Sequence, residues 1–269
     1  GQVVTVLDLI PVHHPRQYRM QHRYFARVLP PVLSSCRAVC VLTETTGREI
    51  AARYGVPAAK IKVVPPGIEP ERFERRAAAP SHDPYLLVVG ASLPHKNVES
   101  LLTSAPLWAD RYRLVITGAH APYRRRLERV ARENGVDRRL EFIPYASPAR
   151  MVDLYRGCRC LVYPSLDEGF GMPPLEALAA GRPAIVSDIP VLREVCGSAT
   201  FYVDPAKPHS WRDAFTRLHD PSAVPAAVAA GRERARQFTW AGTRRRLMDA
   251  LREVVPEPAR ADPRHPSTP

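Results

Sequence analysis

Six short apolar runs dominate the chain from residue 85 onward, and each is followed by a longer segment with helical spacing, the last by HSWRDAFTRLHD. The runs are YLLVVG (85–90), RLVITG (113–118), LEFIP (140–144), RCLVYP (159–164), AIVS (184–187) and FYV (201–203). Between them lie KNVESLLTSAPLW, YRRRLERVARENG, PARMVDLYRG, PLEALAAG and VLREVCG, which carry the helical period. Strands that are apolar without alternation are covered on both faces, and strands joined through helices run parallel. The pattern therefore demands an α/β, doubly wound domain. Such sheets bind ligands at the carboxyl ends of their strands, in the loops that enter the helices.

The earlier residues carry a similar but shorter pattern: strand VVTVLDLI, helical segment RQYRMQHRYFARVLPPVLSSC, strand AVCVLT, helix TTGREIAARYG and strand KIKVVP. We read 1–75 as the remnant of a first α/β domain, with a Pro-, Glu- and Ala-rich linker running to about 84. Residues 85–236 form the second domain, 237–255 a C-terminal helix, and 256–269 a Pro-rich disordered tail. Gly1 stands directly inside an apolar run, so upstream sequence is expected.

Composition narrows the functional classes. Of 269 residues, 45% are hydrophobic, enough for a proper core, yet no run approaches the roughly 20 apolar residues of a membrane span. The start GQVVTVLDLIPV lacks the charged region and cleavage site of a signal peptide, which makes a cytoplasmic location the default. Five cysteines, odd in number and without metal-ligand spacing, read as reduced, buried thiols. The net charge of +12, with clusters Arg124–Arg126 and Arg244–Arg246, fits solvated helix faces or an anionic partner. No nucleic-acid module is legible; a peripheral contact with the inner face of an anionic membrane stays open.

The chemistry concentrates in LDEGFGMPPLEALAAGRPA (166–184). A strand ends, a glycine loop follows, and Pro173 and Pro174 stand where a helix tolerates the missing N–H. Gly169 and Gly171 allow a close backbone approach, and the N–H groups of loop and helix start favour a phosphate. Glu176, in about the first helical turn, can accept two hydrogen bonds from ribose hydroxyls, and Glu168 faces whatever lies beyond the phosphates. In VVGASLPHKN (88–97) a strand ends at Gly90 and Lys96 brings an ammonium to a helix start on the same sheet edge. Two such loops imply a nucleoside diphosphate.

These residues, with FIPYAS, SDIPVLREVCGSATFYVDP and FTW, resemble the donor domain of retaining GT-B glycosyltransferases of family 4. DLIPVHHP, VCVLTETTGREIAARYGVP and IKVVPPGIEPERF are similar to the later half of that family's first domain. The resemblance implies two Rossmann-like domains, the first incomplete here, and sugar transfer from a nucleoside-diphosphate donor with retention of configuration, a mannosyl donor being one candidate. It implies that Glu176 holds the ribose, Glu168 contacts the donor sugar and Lys96 neutralises the leaving diphosphate. Backbone N–H groups of Gly169, Phe170, Gly171 and Met172 would cradle the phosphates, with the backbone near Tyr145 at the base. No cofactor and no metal is implied, and no D-x-D pair occurs. The chain departs from the pattern at Leu7, where His is common, at His95, where Arg is frequent, and at Thr43, which replaces a common Ser. His13 and His14 read as structural or solvated. A sugar-nucleotide epimerase, an α-glucan phosphorylase and a non-catalytic nucleotide-sugar binding module stand as alternatives on the same scaffold. The acceptor stays undetermined, and a chain without the family's first segment is expected to bind nucleoside diphosphate weakly and transfer no sugar.

Overall fold

A computed structural model describes residues 2–74, 83–204 and 207–254. Part of the linker and the whole 256–269 tail fall outside the described residues. Two parallel sheets form. The first joins β1 (Val3–Val6), β2 (Ala38–Val41) and β3 (Ile61–Val63) in that order. The second contains β4 (Tyr85–Val88), β5 (Arg113–Thr117), β6 (Leu140–Ile143), β7 (Cys160–Tyr163), β8 (Ala184–Ser187) and β9 (Phe201–Val203). Its spatial order is β6-β5-β4-β7-β8-β9, parallel throughout.

Alternate residues of β4 serve opposite layers. Leu86 and Val88 pack with Trp108, Ile116 and Trp211, whereas Leu87 packs with Leu161, Leu175, Leu178 and Leu192. The indole of Trp108 donates to the Leu101 carbonyl at 2.9 Å, so its burial leaves no polar group stranded. All five cysteines are buried free thiols. Among the described residues no helix is long and apolar enough to cross a membrane.

Proline divides two segments that the helical period alone joins. Residues 16–36 form separate helices, Arg19–Arg27 and Leu29–Ser35, because Pro30 and Pro31 cannot continue the first but fit the opening turn of the second. The stretch after β4 becomes a 3₁₀ turn (Pro94–Lys96), a short helix (Val98–Thr103) and a second 3₁₀ turn (Ala105–Leu107) opened by Pro106. A short helix at Ile10–His13 has no counterpart in the sequence reading.

The chain crosses between the sheets twice, side by side: the Ile68 N–H donates to the Phe238 carbonyl at 2.9 Å. The last helix, Trp240–Val254, then lies on the first sheet, where Ala250 packs with Cys40 and Val64. Arg37 donates to the Val254 carbonyl at 2.7 Å.

Candidate functional site

The order of the second sheet reverses between β4 and β7, so the helices that follow these neighbouring strands leave on opposite faces and open a crevice between their ends. Lys96 lies on the loop after β4 and Glu168 on the loop after β7. The Lys96 ammonium donates to Glu168 Oε1 at 2.6 Å and to the Tyr163 hydroxyl at 3.2 Å. Two hydrogen bonds lace the loops together: the Leu166 N–H donates to the His95 carbonyl at 2.8 Å, main chain to main chain, and the Asn97 side-chain amide donates to the Pro164 carbonyl at 3.3 Å. The pair is thus positioned by loops that are bonded to each other. Burial and the neighbouring Glu168 carboxylate push the Tyr163 phenol far up, so it stays protonated.

His95 is buried, and burial, with Lys96 and His14 beside it, lowers it to about 4. It is neutral at physiological pH, and between these adjacent residues only Lys96 carries charge. The imidazole instead meets the first unit, with Nδ1 3.2 Å from the Tyr18 hydroxyl.

The β7 loop ends at Gly171, whose φ of +101° is strained for any residue with a side chain. Helix Met172–Ala179 starts immediately after it. Glu176 is therefore its fifth residue, in the second turn rather than the first. Tyr155 donates to Glu176 Oε2 at 2.5 Å. Burial raises the Glu176 pKa, while the Tyr155 hydrogen bond and Arg72 pull it back. The Phe170 ring is buried edge-on against Phe238, centroids 5.5 Å apart, which leaves its main chain to border the loop. Met172 is partly buried at the helix start. Gly90 forms a left-handed turn just beyond β4, and Tyr145, 81% exposed, sits in the bend after β6.

The first unit closes over this edge through contacts that the sequence reading missed. A Cβ on Gly169 would lie 2.3 Å from the Leu7 carbonyl oxygen and 2.7 Å from Asp8 Cβ. The side of Gly169 without a side chain thus faces the end of β1. Burial, together with Asp167 and Glu168, raises the Asp8 pKa against the pull of the Ile10 N–H and Lys96. His13 sits between carboxylates: Nδ1 is 2.6 Å from Asp167 Oδ2, and Nε2 pairs with Glu49. Glu194 reaches across to the helix Glu44–Tyr54, accepting from the N–H groups of Glu44 at 2.6 Å and Thr45 at 2.9 Å. Thr43 caps the same helix by accepting from the Thr46 N–H at 3.2 Å, the job that a serine performs equally well. Between the units lies a cavity of about 260 Å³ bordered by His13, Thr45, Asp167, Glu168 and Pro190. Nothing in the spacing of HHP or REV signals these cross-unit contacts.

The His13 contacts carry a pH dependence. Hydrogen bonding to Asp167, and to Glu49, raises His13 to about 9 against the opposing pull of partial desolvation. A raised histidine stabilises most below its ordinary value near 6.5, and that stabilisation is lost as pH climbs through about 9. The melting temperature of the native protein should exceed that of His13→Ala at pH 6 and converge with it above pH 9. A constant gap across that range would mean that packing, not charge, holds His13.

Residues 70–234 match the family described as Glycosyl transferases group 1, and residues 3–72 match Glycosyltransferase Family 4. The O-antigen chain mannosyltransferase RfbU of Salmonella typhimurium is 34% identical over 225 residues, covering 83% of this chain and 63% of the relative. The D-inositol 3-phosphate glycosyltransferase of Acidothermus cellulolyticus is 28% identical over 247 residues, 84% of this chain and 55% of the relative. This chain thus spans little more than half to under two thirds of their lengths. Among solved structures, Anabaena HepE with UDP-glucose superposes with a TM-score of 0.80 at 15% identity, over 93% of this chain and 72% of that one. Sucrose-phosphate synthase from Thermosynechococcus elongatus superposes with a TM-score of 0.79 at 22% identity, over 93% and 67%.

Proposed function

Because this chain belongs to the group 1 glycosyl transferases, with a GT-B fold, we propose that it is the donor-binding part of an enzyme that moves a sugar from a nucleoside-diphosphate sugar to an acceptor with retention of configuration. The observation that carries this reading is the Lys96–Glu168 pair at the reversal of the second sheet. Glu168 turns toward the donor sugar, and Lys96 meets the diphosphate. Negative charge grows on the diphosphate as the glycosidic bond breaks, so an ammonium held in place by laced loops stabilises the transition state more than the ground state. The charge is met by Lys96 and by backbone N–H groups from Gly169 to Met172, without a requirement for a divalent ion. Glu176, held by Tyr155, receives the ribose hydroxyls. The bend at Tyr145 borders the base, and the turn at Gly90 gives the phosphates room.

The mannosyltransferase relative makes GDP-mannose the first donor to test, beside UDP- and dTDP-sugars. Release of free nucleoside diphosphate that depends on acceptor supports transfer. Release without any acceptor, a changed but intact sugar nucleotide, or binding without turnover would each replace it, with a hydrolase, an epimerase or a binding module respectively. Glu176→Ala should weaken donor and free nucleoside diphosphate alike, because the ribose contact is the same before and during reaction. One lost charge-assisted hydrogen bond corresponds to about 1.5 to 3 kcal/mol. Unchanged nucleotide affinity in a folded variant would remove the ribose assignment.

A further inference from the structure

Tyr163 is the last residue of β7, where the strand opens into the loop that carries Glu168. Its main chain pairs with Val186 of β8, and its ring is buried in the core of the second unit. Strand and core thus fix the ring, and its hydroxyl ends beside the Lys96 ammonium.

A lysine held at one point can still swing its ammonium about that point, whereas two acceptors at different positions pin it. Lys96 has both. Of the three N–H donors of the ammonium, one goes to Glu168 Oε1 at 2.6 Å and a second to the Tyr163 hydroxyl at 3.2 Å. The ring centroid lies 5.2 Å from Nζ, close enough for its face to attract the cation as well. Among the described residues nothing accepts the third N–H.

The chemistry of the second acceptor matters as much as its position. A carboxylate in place of the phenol would give the ammonium two anionic neighbours, and the net negative group would repel a diphosphate. The phenol avoids this. Burial and the Glu168 carboxylate keep it protonated, so it holds the lysine without cancelling more of its charge.

We infer that Tyr163 is a positioning residue, whose neutral hydroxyl and fixed ring hold the Lys96 ammonium so that its third N–H meets the leaving diphosphate. The inference rests on the donor-site reading of the crevice. It adds to that reading a residue that touches the lysine and not the substrate.

Titration calorimetry with free GDP and UDP, and with the matching sugar nucleotides, tests it. The charge that Lys96 opposes is fully developed on the free diphosphate and only partly on the intact donor. Tyr163→Phe keeps the ring and its packing, so the thermal midpoint should stay near that of the native protein. Free nucleoside diphosphate should nevertheless bind about tenfold more weakly, with a much smaller change for the sugar nucleotide. In a Lys96→Ala background the same substitution should alter neither affinity, because no ammonium is left to hold. An equal loss for both ligands, or a loss that persists without Lys96, would overturn the proposal and make Tyr163 a wall of the pocket. Unchanged affinity would overturn it too, and a lowered midpoint beside it would assign the hydroxyl to the fold. A native protein that bound no nucleoside diphosphate would remove the donor-site reading itself, and this inference with it.

Discussion

Lys96→Ala should lower acceptor-dependent release of nucleoside diphosphate roughly a hundredfold or more, with a much smaller loss of donor affinity. The lysine opposes charge that accumulates only as the diphosphate leaves, which separates turnover from binding. A second effect has to be kept apart from this one. Lys96 is paired with a carboxylate whose side chain is only 8% exposed, and stripping the partner from a buried charge costs about 3 to 5 kcal/mol. The single variant should therefore be both slow and less stable. Lys96→Ala/Glu168→Gln removes the orphaned charge and should recover most of the stability while staying slow. If the double variant regained turnover along with stability, Lys96 would be a structural partner of Glu168 and nothing more.

Gly169→Val should be nearly as damaging to turnover while leaving nucleotide affinity close to normal. The added carbon would stand 2.3 Å from the Leu7 carbonyl oxygen, an approach that backbone cannot relieve by a rotamer change. The first unit must retreat from the β7 loop by an ångström or so, and misplacement on that scale costs on the order of a hundredfold. The donor contacts proposed above all belong to the second unit, so nucleoside diphosphate should still bind. Gly169→Ala serves as the milder step, and the two should rank by side-chain size. A loss of nucleotide affinity that matched the loss of turnover would show that Gly169 matters for phosphate approach, as its sequence context suggests. Normal turnover would show that the closeness of the two units is not the reacting arrangement.

Much of the architecture was legible because the relevant signals are local. Continuous apolar runs such as CLVY and AIVS read as parallel strands from their lack of alternation, and both are buried along their whole length. The glycine loop and the prolines that open helix Met172–Ala179 were equally readable, since φ freedom and the missing N–H are properties of single residues. The helical period failed where proline interrupted it, at Pro30 and Pro106, because periodicity counts apolar positions and ignores the backbone donor.

Spatial order was beyond the sequence. That β4 lies beside β7, and hence that Lys96 meets Glu168 across 72 positions, follows from how the strands pack and not from any residue in either loop. The neutral state of His95 comes from burial beneath elements distant in sequence, and Tyr155 reaches Glu176 only because their two helices share a face of the sheet. His13 between Asp167 and Glu49, and Glu194 capping a helix of the other unit, join residues with no common period or spacing. The sequence by itself determined which loops carry the chemistry; only the tertiary structure decided which side chains meet there and in what charge state, because long-range packing sets both distance and desolvation.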